Sequence, residues 1–578
     1  MEVDEAYTLV GECGCYHLIV YFLICVFGQV ISVWHVLGIT FLGGTPSHLC
    51  HVPEGVQLNE SIPVEADSTD GQHVYSSCLM YENYTSASNN TVSCTDGWEY
   101  DPPDEITIVT EWDLVCDKSA YVDISQAVFM SGVMIGSVTF GQLSDIFGRK
   151  PVWLFSIWTQ LVFAVGVAFT QNYISFTVVR FFVGFIEQGV DITSYVMVTE
   201  MFTPRWRTYA GINLTLFWAS GIMLLPLMAY YIRNWRYLQL AISIPAVLSI
   251  PLWWIIPESI RWLMSKGRFK DAEKTLRRIG KYHGVAVPEN AFTRSNRADD
   301  TAAQMCVVSE TRDTTQVCKV GETDPAVVEL RVESDRQQDE NGRPSETKLD
   351  EEKPQNKFET EHDAVKNSKK YNLIDLFRTP NLRKFTLVMI FVWLVNSLVY
   401  YGLSLNTDLL AGNRYLNFFL SGAVEIPAYI LSAIIVSYFG RRIPLCIFHV
   451  VGGIACIITG FIPEETSNGT DLTPLIVTVA MIGKFGIAGS FAIVFLYSTE
   501  LFPTVIRNLG VGVSSFSSRV GGILAPLTMF LGNIHPALPL VVFGVLSSAA
   551  GLLVLLLPET KGKSQPQNIE DVEKPSER

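Results

Sequence analysis

The fold is decided by the stretch Gly136-Ser-Val-Thr-Phe-Gly141-Gln-Leu-Ser-Asp145-Ile-Phe-Gly148-Arg149-Lys150, which links two apolar runs of helical length. Small residues let membrane helices approach closely, and a basic pair holds such a turn on the cytoplasmic side. A second version, Tyr438-Phe-Gly440-Arg441-Arg442, also lies between two apolar runs. The sequence therefore predicts the same type of turn between membrane helices at two places in the chain.

A second pair of motifs repeats at nearly the same offset. Thr199-Glu200-Met-Phe-Thr-Pro-Arg205-Trp-Arg207 has its counterpart in Thr499-Glu500-Leu-Phe-Pro-Thr-Val-Ile-Arg507. Two independent motifs that repeat together are typical of a duplicated membrane unit. We therefore expect two pseudo-symmetric halves.

The composition agrees with a membrane protein. Of 578 residues, 49% are hydrophobic and only 17% are charged, which is too apolar for an ordinary soluble protein. A run of about 20 apolar residues spans a bilayer, and twelve such runs predict an all-α membrane protein with twelve transmembrane helices in two six-helix halves. The predicted spans are 16–42, 120–142, 152–170, 173–199, 209–231, 237–256, 384–405, 413–437, 443–462, 473–497, 508–531 and 537–557.

Lys and Arg fall in alternate connections, which places both termini in the cytoplasm. Arg233 and Arg236, between the fifth and sixth spans, violate this rule. The predicted parts are an N-terminal half 1–256 with a large outer loop 43–119, a cytoplasmic loop 257–383, a C-terminal half 384–557 and a disordered cytoplasmic tail 558–578.

The cytoplasmic loop contains a polar insertion at about 288–370 that is too poor in apolar residues to fold alone. We interpret it as a solvated tether, with scaffold or kinase contacts as the alternative. The formal net charge of −15 comes largely from the polar insertions and the tail, so it does not indicate a nucleic-acid partner.

The outer loop carries the features of an extracellular segment. Four cysteines predict two disulfides, with all three connectivities open. Three sequons predict N-glycosylation, and no metal site is expected. The cysteines are Cys50, Cys78, Cys94 and Cys116, and the sequons begin at Asn59, Asn83 and Asn89.

Charged residues inside spans are candidates for a binding site, because charge is costly in lipid. Glu187 and Asp191, four residues apart, share one helix face and would attract an organic cation or a proton. Arg519 in the eleventh span suits a substrate carboxylate. The alternative for all three is a permanent ion pair, with Glu425 or an acid of the fourth span as the partner of Arg519. Glu425 and Lys484 are predicted to form a buried pair that sets helix packing.

Aromatic residues of the seventh and tenth spans are candidates for a cage around a quaternary ammonium group. Plain helix packing is the alternative for these rings. No Walker loop, G-x-S-x-G or H-E-x-x-H motif is present, so the sequence does not indicate an enzyme or a cofactor. The candidate aromatic residues are Trp393, Tyr400, Tyr401, Phe495 and Tyr497.

The repeated turn resembles that of the major facilitator superfamily. Further motifs resemble the organic cation, carnitine and organic anion transporter family, solute carrier family 22. This resemblance implies alternating access at the plasma membrane and a glycosylated, disulfide-bonded outer loop. The motifs are Thr45-Pro46-x-His48-x-Cys50, Cys94-Thr-Asp96-Gly97-Trp98, Glu111-Trp112-Asp113-Leu-Val-Cys116-Asp117, Pro257-Glu258-Ser259-x-Arg261-Trp262-Leu and Glu500-Leu-Phe502-Pro503-Thr504-Val-Ile-Arg507-Asn508.

The resemblance also implies residue roles. It assigns cytoplasmic gating ion pairs to charged residues of the repeated motifs, namely Asp145, Arg149, Glu200, Glu500 and Arg507. Arg207 and Arg441 are predicted to be further gating or structural charges. Arg519 stands where simple cation transporters have Asp, Asp191 stands where they have Trp, and Trp393 and Tyr400 match aromatic substrate contacts. The segments Val-Glu-Ile-Pro-Ala-Tyr and Gly-Lys-Phe-Gly look closest to the carnitine branch.

The sequence therefore predicts a carrier of small organic cations or zwitterions such as carnitine, with sodium or proton coupling left open. An organic anion exchanger and a non-transporting transceptor or scaffold are the alternatives.

Overall fold

A computed structural model describes most of the chain outside the polar insertion. The described residues from 3 to 292 and from 373 to 573 belong to one compact unit. The predicted insertion lies almost entirely outside the described residues, and so do Asn83 and Asn89. The described residues are 3–53, 55–67, 73–82, 90–288, 291–292, 372–405, 407, 412–463, 465–466, 470–563 and 565–573.

The first half begins with a short helix and then six spanning segments. The first span is continuous from Cys15 to Leu42 and includes a π-helical turn at Val26–Val30. The sixth span contains a 3₁₀ segment at Ile244–Ser249. The helices are α1 (Val3–Val10), α2 (Cys15–Cys25), α3 (Ile31–Leu37), α4 (Ile39–Leu42), α5 (Leu58–Ser61), α6 (Ile108–Trp112), α7 (Ala120–Phe147), α8 (Arg149–Val167), α9 (Tyr173–Met201), α10 (Pro204–Tyr231), α11 (Trp235–Ser243), α12 (Leu252–Ile255), α13 (Ile260–Ser265) and α14 (Phe269–His283).

The second half begins with a 3₁₀ turn at Leu373–Phe377, and further 3₁₀ turns lie at Thr504–Ile506 and Met529–Asn533. Its helices are α15 (Pro380–Leu405), α16 (Arg414–Phe439), α17 (Arg442–Phe461), α18 (Thr473–Leu501), α19 (Arg507–Thr528), α20 (Leu538–Val554) and α21 (Ile569–Glu573).

Within the described residues, ten helical segments are long and apolar enough to cross a membrane. The other two predicted spans correspond to α19, which is rich in Ser and Gly, and to α20, an apolar helix of 17 residues. Large apolar side chains also cover the outside of the bundle, for example Phe155, Val162 and Ile174 at 63%, 69% and 73% exposed. An apolar outer surface of this kind suits lipid rather than water.

The glycines of the opening stretch have three different environments. A Cβ at Gly136 would lie 2.0 Å from the backbone oxygen of Phe185, so this glycine lets α7 and α9 approach closely. Gly148 has φ +108°, a conformation that glycine adopts readily and that ends α7. A Cβ at Gly141 would meet no atom within 4 Å.

Within the described residues, the two halves pack most extensively through α7 with α19 and α10 with α16. Near the outer loop, Phe41 stacks on Tyr415 with ring centroids 5.5 Å apart and packs edge-on against Phe418. We call this the loop end of the bundle, and the opposite end, with Gly148 and Gly440, the motif end. The halves are therefore packed together at the loop end.

The described part of the outer loop contains the short helices α5 and α6 and three two-stranded antiparallel sheets, in which β1 pairs with β6, β2 with β3, and β4 with β5. Disulfides join Cys50 to Cys94 and Cys78 to Cys116. The structure thus selects one of the three connectivities that the sequence left open. The strands are β1 (Ser47–Cys50), β2 (Val64–Asp67), β3 (His73–Tyr75), β4 (Leu79–Tyr81), β5 (Thr91–Ser93) and β6 (Trp98–Asp101).

The two arginines that violated the charge rule bind the returning limb of this loop. Arg233 pairs with Asp104 at 2.7 Å, and Arg236 pairs with Glu111 at 2.5 Å. The backbone N–H of Ile106 also donates to the carbonyl of Arg233 at 3.1 Å. Their positive charge is therefore compensated by loop acids, which explains arginine at this end of the bundle.

Candidate functional site

The acids of α9 face the first span at the middle of the bundle. Glu187 is buried and accepts a hydrogen bond from the Ser32 hydroxyl. One turn on, Asp191 accepts from the Gln29 amide at 2.9 Å, and the same amide donates to Ser194 at 3.2 Å. These bonds orient both carboxylates through neutral groups, none of which supplies a positive charge.

Gln188 connects these acids to the second half. Its amide nitrogen donates to Glu187 Oε2 at 2.6 Å, and its amide oxygen accepts from Arg519 Nη2 at 3.1 Å. The other terminal nitrogen of Arg519 donates to the Ser515 hydroxyl at 3.1 Å. Among the described residues, no carboxylate lies within 4.0 Å of this guanidinium. Neither Glu425 nor an acid of α9 is therefore a direct partner of Arg519.

Three of the candidate aromatic residues, Trp393, Tyr400 and Tyr401, belong to α15. Trp393 donates to the Ser498 hydroxyl at 2.9 Å and packs edge-on against Phe495, with ring centroids 4.5 Å apart. Tyr401 packs against Tyr400 and lies beside Gly522, close to Arg519 along α19.

Tyr400 is already engaged by protein groups. The Lys484 ammonium lies 3.6 Å from the centre of its ring, and its hydroxyl accepts from the Trp218 indole at 2.8 Å. One face of the Tyr400 ring is therefore already occupied by the Lys484 side chain rather than free for a substrate ammonium. Tyr497 is also buried, and its hydroxyl donates to the Pro558 carbonyl at 2.6 Å. This hydroxyl therefore binds the backbone after α20 rather than Arg519.

Lys484 and Glu425 form a buried ion pair at 2.9 Å between α18 and α16. The Tyr429 hydroxyl donates to the Glu425 carboxylate at 2.9 Å, and the Lys484 ammonium donates to Ser404 at 2.5 Å. This network joins three helices of the second half, which is the packing role that the sequence suggested for the pair.

At the motif end, each half closes an ion pair of its own. Arg149 pairs with Asp145 at 2.9 Å and with Glu200 at 3.0 Å. In the second half, Arg441 pairs with Glu500 at 2.7 Å. Each of these pairs therefore fixes the motif end within one half.

Two further arginines with predicted gating or structural roles, Arg207 and Arg507, have different surroundings. Arg507 donates to the Thr504 hydroxyl at 3.1 Å and to the Phe502 carbonyl at 3.4 Å. For Arg207, the buried Nε has no hydrogen-bond partner among the described residues. These contacts engage neither Glu200 nor Glu500.

Two further acids occupy matching positions that sequence reasoning did not single out. Glu258 accepts the backbone N–H groups of Arg149 and Lys150 at 3.0 and 3.2 Å. Glu559 accepts those of Arg441 and Arg442 at 2.9 and 3.0 Å. Each carboxylate binds the otherwise unpaired N–H groups that begin a helix. The repeated Pro-Glu dipeptide at 257–258 and 558–559 was the available signal.

Their environments shift the two pKa values in opposite directions. Burial raises the pKa of Glu258 above its ordinary value of 4.5, despite its backbone hydrogen bonds. Burial also acts to raise the pKa of Glu559, but four backbone N–H donors outweigh it and lower that pKa.

The polar residues around the acids, Gln29, Ser32 and Gln188, were also overlooked. Their signal was the presence of polar residues within otherwise apolar spans.

Comparison with known proteins identifies the family. A family model described as "Sugar (and other) transporter" matches residues 74–315 and 330–568. The chain is 37% identical to the organic cation transporter protein of Drosophila melanogaster, over 99% of this chain and 95% of that protein. It is 34% identical to organic cation/carnitine transporter 2 of Mus musculus, over 99% of this chain and 94% of that protein.

Among solved structures, the inward-open xylose transporter XylE of E. coli matches with a TM-score of 0.57 and 14% identity, covering 96% of this chain and 98% of that chain. At this identity the likeness shows the fold alone. The predicted all-α transporter fold is thereby confirmed, and the relatives are transporters rather than enzymes. The chain belongs to the major facilitator superfamily and, within it, to the solute carrier family 22 of organic cation and carnitine transporters.

Proposed function

We propose that this protein carries small organic cations and zwitterions across the plasma membrane by alternating access, with carnitine-like molecules as the zwitterionic class. The proposal is supported chiefly by one arrangement. The neutral amide of Gln188 bridges Glu187 of α9 and the guanidinium of Arg519 on α19, and Asp191 lies one turn further along α9. Charges of both signs are thus available at one place between the halves.

An ammonium group would interact favourably with Glu187 and Asp191, since both carboxylates have only neutral hydrogen-bond partners. A substrate carboxylate would suit Arg519, because a guanidinium can bind two oxygens at once. The ring of Phe495, which packs against Trp393 and is 36% exposed, adds an aromatic face for an alkylated ammonium. The names of the relatives, which include organic cation and carnitine transporters, agree with this substrate class.

The orientation is part of the proposal. Basic residues are concentrated at the motif end, which favours a cytoplasmic position for that end and for both termini. The disulfide-bonded loop suits an oxidising extracellular space, and Asn59 lies in this loop as a glycosylation candidate. Contacts of the insertion with a scaffold or a kinase stay a prediction.

The test is uptake of labelled carnitine and labelled tetraethylammonium into cells that express the protein. We expect both to be taken up saturably and to inhibit each other. Asp191→Asn should weaken uptake of both substrates, because each carries an ammonium group, whereas Arg519→Ala should reduce carnitine uptake more than tetraethylammonium uptake. Arg383→Ala, at an exposed position, serves as the control.

Equal losses of both substrates in Arg519→Ala, at normal surface abundance, would reject the site assignment. Absence of cation and carnitine uptake together with saturable anion uptake would favour an organic anion exchanger. Repeating the assay without sodium, and then without a proton gradient, would identify the coupling ion.

A further inference from the structure

The buried amide of Gln188 lies between the two charged poles of the site. Its side chain donates to Glu187 at 2.6 Å and accepts from Arg519 at 3.1 Å, and the residue is only 4% exposed. One neutral group therefore satisfies an acid of the first half and a guanidinium of the second half at the same time.

We propose that the Gln188 amide oxygen is a placeholder for a substrate carboxylate, and that Gln188 therefore sets the preference between zwitterions and simple cations. This inference rests on the proposed function, because it assigns the anion-binding pole of that same site. A carboxylate that enters the site would take over the Arg519 Nη2 donor that the amide oxygen now occupies.

The exchange favours a charged ligand. A carboxylate can accept two parallel hydrogen bonds from the guanidinium and adds the attraction of opposite charges, which a neutral acceptor lacks. The present partners of Arg519, the Gln188 amide and the Ser515 hydroxyl, are both neutral. They keep the guanidinium oriented, and a carboxylate can displace them.

A simple cation has no group that could make this exchange. It would bind at Glu187 and Asp191 and leave the bond between Gln188 and Arg519 intact. That bond joins α9 to α19 and hence the two halves. Zwitterions and simple cations should therefore differ in whether their binding breaks this contact.

Replacing the amide with an acid should separate the two substrate classes. In Gln188→Glu, the new carboxylate would pair permanently with Arg519 and occupy the anion pole, while the cation pole would keep Glu187 and Asp191. We expect uptake of labelled carnitine to fall by about tenfold or more, since the site would lose a buried charge pair with the substrate. Uptake of labelled tetraethylammonium should fall less, because a simple cation does not need Arg519, so the ratio of carnitine to tetraethylammonium uptake should drop.

Gln126 provides a matched control. It is also a buried glutamine of a spanning helix, and its amide oxygen also accepts from an arginine, Arg180, at 2.9 Å. Gln126 and Arg180 both belong to the first half, and neither is among the hydrogen-bond partners of Arg519. Gln126→Glu should therefore change the two uptake rates by the same factor, after correction for surface abundance.

A second variant keeps the test decisive if Gln188→Glu does not reach the surface. Gln188→Met has a similar shape but no polar group, so Arg519 would lack its placeholder without gaining a competing charge. We expect the ratio of carnitine to tetraethylammonium uptake to stay at the wild-type value or to rise. A fall of this ratio would overturn the proposal.

The outcomes also separate this inference from the proposed function. A wild-type protein that takes up neither substrate would reject the proposed function and this inference together. A wild-type protein that takes up both, with Gln188→Glu lowering both equally, would reject only the placeholder role. Selective loss of carnitine uptake in Gln188→Glu would support it.

Discussion

Glu105, on the returning limb of the outer loop, forms an ion pair with Arg414 at the start of α16. The pair joins the two halves at the loop end, and both side chains are largely buried. Arg414 also lies over the Tyr415 ring, which stacks on Phe41. The loop therefore contributes directly to closure of this end of the bundle.

We expect Glu105 and Arg414 to be energetically coupled. Each single change to Ala should lower the thermal stability of the purified protein, because it leaves a partly buried charge without its partner. A double-mutant cycle should give a coupling energy within the range of about 0.5–3 kcal/mol seen for residues in contact. The exchange Glu105→Arg with Arg414→Glu should recover part of the loss.

The neighbouring pair Asp104 and Arg233 is the control for this cycle. Asp104 lies on the same limb, but Arg233 belongs to the same half, and the two side chains are 62% and 43% exposed. Exposed pairs contribute about 0–1 kcal/mol, so its coupling should be smaller. A coupling of Glu105 with Arg414 no larger than this would show that the loop does not hold the halves together.

The three glycines of the opening stretch should respond differently to alanine. Gly136→Ala should destabilise the protein by about 1–3 kcal/mol, because its Cβ would press on the backbone of α9. Gly148→Ala should also destabilise, since φ is +108° and the Cβ would lie 2.4 Å from a Glu258 oxygen. Gly141→Ala meets no atom and should be neutral or stabilising. Thermal unfolding in one detergent compares the three, and a similar cost at all three positions would contradict this assignment.

The two helix-capping acids should give opposite pH dependences. Glu559 has a lowered pKa in the folded state, so its carboxylate stabilises the fold above its unfolded pKa, and this stabilisation is lost as pH falls through the folded value. The stability difference between wild type and Glu559→Gln should therefore grow as pH rises from 3 toward neutrality, when followed by thermal unfolding.

Glu258 has a raised pKa in the folded state, which reverses the sign. Its protonated form favours the fold, so its contribution is present below the unfolded pKa and is lost as pH rises through the folded value. The difference between wild type and Glu258→Gln should shrink over the same pH range. Parallel curves for the two variants would refute the assignment of opposite shifts.

Replacing only one member of the buried pair of Lys484 and Glu425 should strongly destabilise the protein. Lys484→Met leaves a carboxylate buried without its cation, for which a loss of about 3–5 kcal/mol is expected. The double variant Lys484→Met with Glu425→Gln removes both charges and should cost less than the single change. Lys384→Met, at an exposed position, should have little effect. A double variant that is less stable than Lys484→Met would contradict this expectation, because it would show that the Glu425 carboxylate stabilises the fold without its cation.

The sequence by itself determined the membrane class, the duplicated halves and the family. These features depend on apolar run length and on motifs that repeat along the chain, and both are local properties. The acids Glu187 and Asp191 could be placed on one helix face for the same reason, because helical periodicity needs no tertiary contact.

Only the tertiary structure decided the partners of these residues. The Gln188 amide separates Arg519 from the α9 acids, Lys484 occupies a face of Tyr400, and Glu105 pairs with Arg414 across the halves. The cysteine pairing and the different roles of Gly136 and Gly141 were settled in the same way. Each of these contacts joins segments far apart in the chain, and their geometry depends on how whole helices pack, which residue spacing alone does not specify.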